Sequence, residues 1–110
     1  MLNNDEGFLK HILEECIFLV DNLNNISYED FFSSEILKRA AVRSIEIIGE
    51  ASKKISNSLK ERSPDVEWSD LAKMRDVLIH QYFGIDFEIV WDVVKEKIPE
   101  FQKKIEELLK

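Results

Sequence analysis

Apolar residues at Leu9, Ile12, Leu13, Cys16, Leu19, Val20 and Leu23 recur at three- and four-residue intervals with no break. That spacing lays a broad apolar stripe down one side of a helix and cannot be folded into a half-buried strand, whose side chains alternate every two residues. The same period returns at Leu37, Ala41, Ser44, Ile48, Ala51 and Ile55, widened by Ile36, Ala40 and Ile47. Only three glycines and two prolines interrupt the chain, too few for the tight turns of a many-stranded fold. The pattern predicts an all-α protein.

Five helices are expected. The first runs from residue 4 to about residue 24, with Asn3, Asn4 or Asp5 to cap it and "NLNN" to end it. "ISYEDFF" is a connector with a single turn. The second helix starts at Ser33 or Ser34 and reaches Ser56 or Arg62, before Pro64 breaks the chain. Trp68 anchors the third, capped by Ser69, continuing to about Phe83 and closed by Gly84. Asp86 caps the fourth, with Ile89, Val90, Val93 and Val94 facing inward and Trp91 covering the bundle. Pro99 belongs in the first turn of a short fifth helix carrying Phe101, Ile105, Leu108 and Leu109. The expected architecture is an up-down helical bundle of four main helices plus a short C-terminal helix, with residues 1–110 forming one domain.

Charged residues make up 34% of the chain and the net charge is −7, a balance for a globular protein with a highly charged surface rather than a dedicated duplex-DNA binder. Basic residues nonetheless concentrate in the middle third, at Arg39, Arg43, Lys53, Lys54, Lys60, Arg62, Lys73 and Arg75. No apolar run is long enough for a membrane helix, no leader-like segment is present, and the lone Cys16 has no partner for an intramolecular disulfide. A reducing cytoplasm is the expected location. Two histidines and one cysteine offer no metal-ligand spacing, and no glycine-rich phosphate loop occurs, so no cofactor is expected.

The chemistry gathers in "MRDVLIHQYFGI". On a helix Tyr82, seven residues beyond Arg75, returns to within about 20° of it, whereas His80 lies about 140° around. Asp76 and His80, four apart, share a face, so that the carboxylate can orient the imidazole. Histidine suits proton transfer near neutral pH, and arginine's planar donors match phosphate oxygens. Together they suffice to cleave RNA: the substrate's 2′-OH attacks, His80 moves the proton and Arg75 stabilises the charge on phosphorus. Arg75 and His80 meet around the helix edge or through a second copy of the chain. In "RSIEIIGEASKK", Arg43, Glu46 and Glu50 share a face beside Gly49, whose missing side chain admits a neighbouring backbone. Glu46 and Glu50 need cationic partners, with Arg43 and Arg75 as candidates. Read blandly, Arg75 is a partner in an ion pair, Tyr82 an interface aromatic, and His11 a surface residue.

The blocks "RAAVRSIEIIGEASKKIS" (residues 39–56) and "WSDLAKMRDVLIHQYFGIDFEIVWDVV" (residues 68–94) resemble the HepT-like branch of the HEPN superfamily. The resemblance extends to "IPEF" at residues 98–101, and the first helix matches only in pattern. It implies a HEPN-like helical bundle that forms a homodimer, with the R-x-x-x-x-H motifs of both protomers lining one cleft. It implies a toxin of a toxin–antitoxin pair that cleaves RNA, tRNA or mRNA, without a metal. It also implies a partner antitoxin, an MntA-like minimal nucleotidyltransferase, that transfers AMP from ATP to a motif tyrosine. Carried onto this chain, Arg75 and His80 match the catalytic pair and Tyr82 the AMP acceptor, with Asp76, Glu46 and Glu50 in support. The alternative is a non-catalytic helical partner that regulates a nucleotidyltransferase.

Overall fold

A computed structural model describes residues 4–80 and 84–110, with the side chains of Ile79 and His80 outside the described part. Within it the chain is all-helical: α1 (Asp5–Leu23), α2 (Tyr28–Ser33), α3 (Glu35–Lys54), α4 (Asn57–Arg62), α5 (Trp68–His80), α6 (Phe87–Asp92) and α7 (Ile98–Leu108), with a π-helical turn at Val93–Lys97 joining the last two. Helix α3 is central, packed along α5 on one side and α1 on the other, while α1 also leans on α7. Leu9, Ile12, Cys16, Leu19 and Leu23 from α1 meet Ala41, Ile45 and Ile48 from α3 and Val90, Val94, Ile98 and Ile105 from the C-terminal helices in one buried cluster. Burial, followed by the charges of Glu15 and Glu106, pushes the Cys16 thiol up to about 12, so it stays protonated and unreactive at neutral pH.

The stripes predicted for α1 and α3 form the core as expected, with two corrections among the apolar residues. Ile36 is 81% exposed, because it lies in the first turn of α3 on the arc that continues through Ala40, Arg43 and Ile47, away from the core. Ile89 is half exposed, since α6 buries only Val90 of its six residues.

Capping explains most boundaries. Ser34 accepts from the Leu37 N–H at 3.1 Å and starts α3, Ser27 accepts from Asp30 and makes the predicted connector a short helix, and Asp86 accepts from the Glu88 N–H at 3.0 Å. Asn4 makes no side-chain cap. Asp5 is instead buried inside the first turn, its carboxylate accepting from the Ser56 N–H at 2.9 Å and the Ser56 Oγ–H at 2.6 Å. That bond holds Ser56 outside the helix. Ile55 turns extended, α3 ends, and Ser56 caps the separate helix α4 through the Leu59 N–H. Ser69 is not the cap expected of it: α5 begins at Trp68, so Ser69 lies within its first turn.

The expected fourth and fifth helices are one helical path over residues 87–108. Pro99 has no N–H, and its ring would strike the Lys95 carbonyl in a regular α-helix. The chain widens there into the π turn, where the Ile98 N–H bonds the Val93 carbonyl five residues back. Lys95 in that turn reaches the Leu23 carbonyl at the end of α1. No helix among the described residues is long and apolar enough to cross a membrane.

Candidate functional site

The site is built where α3 and α5 pack tightly at Gly49. A Cβ on Gly49 would stand 2.3 Å from Arg75 Cβ and 2.7 Å from the Leu71 carbonyl oxygen, so only glycine lets the two backbones pack here. That contact brings the base of the Arg75 side chain against α3. The guanidinium then turns toward Glu50, one residue beyond Gly49: Arg75 Nη2 lies 3.1 Å from Glu50 Oε2. On the other side Arg75 Nη1 donates to Asp76 Oδ1 at 3.0 Å, and the same oxygen accepts from Lys53 Nζ at 2.8 Å. Two carboxylates therefore fix the half-buried guanidinium in one orientation. The hydrogen bonds from Lys53 and then Arg75 hold the Asp76 carboxyl below its usual range.

Arg75 forms part of the wall of a cleft of about 250 Å³. Phe8 and His11 of α1 line it, together with Arg43, Glu46, Ile47, Glu50, Ala51 and Lys54 of α3. Arg43 approaches Glu46 at 3.9 Å and Lys54 approaches Glu50 at 3.8 Å. The cleft thus presents a fixed guanidinium beside further cations above an apolar floor, an arrangement suited to an anionic group attached to a flat ring.

Of the residues predicted from sequence, Arg75, Glu46 and Glu50 meet in this cleft, and Asp76 borders it through Arg75. The cationic partners foreseen for the two glutamates are the ones observed. His80 is the last described residue of α5, five beyond Arg75; its side chain lies outside the described part, as does Tyr82. The expected contact between Asp76 and His80 falls there too. Among the described residues Asp76 also has Lys53 as a partner that helix spacing did not reveal.

Sequence reasoning missed Phe8, His11 and Lys54. Phe8 and His11 are three apart and flank the α1 stripe on one side, but which residues of α3 they face depends on the register between the helices, which no spacing within α1 reveals.

Comparison with known proteins identifies the family. Residues 12–108 match the family described as "Ribonuclease HepT-like". A Caldanaerobacter subterraneus subsp. tengcongensis protein named "Putative RNase" is 46% identical over 93% of this chain and 91% of its own length. A Methanocaldococcus jannaschii protein with the same style of name is 43% identical over 96% of this chain and 87% of its own. The "Probable ribonuclease HepT" of Thermococcus cleftensis is 40% identical over the full length of both chains. No solved structure matches the chain significantly. With a family match across nearly all of its helices, and Arg75 seated by the Gly49 contact within the matched span, the chain belongs to the ribonuclease HepT-like family.

Proposed function

We propose that this protein is a metal-independent endoribonuclease, the toxin of a toxin–antitoxin pair, with Arg75 and His80 as its catalytic residues. The observation that carries the reading is the clamp on Arg75: Glu50 and Asp76 hold the guanidinium in a cleft, on the helix that also carries His80, in a chain whose relatives are named as ribonucleases. A preorganised cation costs little reorganisation when charge develops on a phosphodiester, which is where electrostatic catalysis is strongest.

In this mechanism the ribose 2′-OH attacks the adjacent phosphorus as His80 removes its proton. Arg75 stabilises the extra negative charge on the pentacoordinate phosphorus. The bond to the 5′ oxygen then breaks, and a protonated imidazole returns a proton to that oxygen, leaving a 2′,3′-cyclic phosphate and a 5′-hydroxyl. The nucleophile comes from the substrate, so the protein has to supply only proton transfer and charge stabilisation.

A homodimer would bring two Arg75 and His80 pairs to one cleft, in keeping with the wide angle between these residues on a single helix. The partner is a nucleotidyltransferase antitoxin, and Tyr82 accepts AMP from it. A phosphate beside Arg75 would neutralise the cation and block the cleft. The buried lone thiol and the cationic cleft suit action on RNA in a reducing cytoplasm.

Purified protein should cleave single-stranded RNA in EDTA and leave cyclic phosphate ends, and His80→Ala should abolish cleavage while the helical circular-dichroism spectrum and melt are kept. A strict requirement for added divalent metal, or full activity in His80→Ala, would refute the mechanism.

A further inference from the structure

The Arg75 cleft contains more than an arginine needs. Its floor is apolar, formed by Phe8, Ile47 and Ala51, and its rim carries His11, Arg43 and Lys54. Lys54 connects the two: its ammonium stands 5.9 Å from the centre of the Phe8 ring and 3.8 Å from Glu50. With the clamp included, four permanent cations, Arg43, Lys53, Lys54 and Arg75, stand against three carboxylates, Glu46, Glu50 and Asp76, and each carboxylate already has a cationic partner. The pocket is therefore locally positive in a chain of net charge −7. Farther along the same two helices the groove turns acidic, with Glu14 and Glu15 beside Phe18 and only Arg43 in return. The preference for an anion ends at Arg43. At about 250 Å³ the cleft is smaller than the usual site for a whole small molecule, and suits one flat ring with its linked phosphate.

We propose that this pocket is a nucleotide subsite: one base of single-stranded RNA stacks on Phe8, its phosphate is held by His11 and Lys54, and the neighbouring phosphodiester lies at Arg75. The assignment rests on the ribonuclease reading and extends it to substrate positioning. Stacking on a phenylalanine face accepts any base, because each has a π surface, so the pocket would place the strand without selecting its sequence. His11 contributes a ring N–H donor at the exposed mouth, where the mobile phosphate of an unpaired strand can reach it.

The test uses full-length His80→Ala protein and short RNAs with 2-aminopurine at successive positions. Binding should quench the fluorescence at one position. Phe8→Leu, which keeps the apolar bulk, should abolish that quench and weaken binding about tenfold. His11→Gln, at an exposed position, should weaken binding while the quench persists. Melting curves establish that the variants fold; if Phe8→Leu does not, His11→Gln and Lys54→Ala decide by their effect on affinity. A quench and affinity indifferent to these substitutions would overturn the subsite. So would variants whose sedimentation mass falls while RNA affinity per chain is unchanged, since the cleft would then be an interface between copies. Cleavage by the otherwise unsubstituted protein separates the two readings: cleavage without the Phe8-dependent quench removes the subsite alone, the quench without cleavage removes the ribonuclease alone, and no RNA binding at all removes both.

Discussion

Gly49 and Arg75 meet at a distance that leaves no room for a methyl group, and one of the atoms in the way is the Leu71 carbonyl, which cannot rotate aside as a side chain would. Gly49→Ala gains helix propensity of about 1 kcal/mol but meets an overpacking cost of about 1–3 kcal/mol. The clash should win. The variant should melt several degrees lower and lose RNA cleavage more than its stability loss explains, because α5 must move away with Arg75; a melt above that of the parent would show that the contact is looser than described. Asp76 gives a second outcome at this scale. Its carboxyl is held below the usual range by Lys53 and Arg75, so the bound charge stabilises the fold above the ordinary carboxylate pKa, and this contribution is lost as pH falls through the lowered value. Asp76→Asn should therefore melt lower than the parent at neutral pH, and the difference should shrink on acidification; a gap that widens toward acid would contradict the pairing. The Arg75–Glu50 pair was partly legible in the sequence: Glu46 and Glu50 demand cations, with Arg75 a candidate for either, and Gly49 marks where some neighbouring backbone approaches. The Lys53–Asp76 pair was not: both residues are partly exposed, and only the packed register of the two helices brings them together.

At the scale of elements, α1 and α3 could be read almost residue by residue, since a buried helix must repeat its apolar positions to match the neighbours on which it packs. The junctions were less readable because they are set by contacts distant in sequence. The sequence offers both Ser56 and Arg62 as ends for α3; what decides between them is Asp5, 51 residues before Ser56. Pro99 does fall in the first turn of α7, as its place in the sequence suggests, but nothing local shows that a π turn before it keeps the helical path from α6 continuous. Asp5 thereby joins the start of α1 to the α3–α4 corner, one helical turn from Phe8 and close in sequence to the cleft. Asp5→Ala leaves the Ser56 N–H without its acceptor and should cost about 1–3 kcal/mol. Denaturant unfolding should show the midpoint move with little change in slope, and Asp5→Asn should recover part of the loss, because its amide oxygen can still accept one of the two bonds. An unchanged midpoint in Asp5→Ala would mean that the corner is held by the surrounding apolar packing alone.

For the whole molecule the decisive quantity is the angle between Arg75 and His80. Five residues turn a straight helix through about 500°, leaving the two about 140° apart, so a single straight helix would direct them toward different sides. A site using both from one helix needs the long arginine to wrap around the edge, but Glu50 and Asp76 hold the guanidinium against α3. A two-fold pair of chains avoids the conflict, because the arginine of one protomer can face the imidazole of the other across the symmetry axis. The two arrangements give opposite results when inactive variants are mixed. Arg75→Ala and His80→Ala each lack half of the pair, and a mixed dimer contains one intact Arg75 and one intact His80 on separate chains. If the site is shared, unfolding and refolding the two variants together should restore cleavage in the mixed dimers, about half of the population at equal amounts, while each variant refolded alone stays inactive. If mixing restores nothing although mixed dimers are isolated by differential tags, catalysis belongs to a single chain, and Arg75 must leave its carboxylate clamp to reach the histidine.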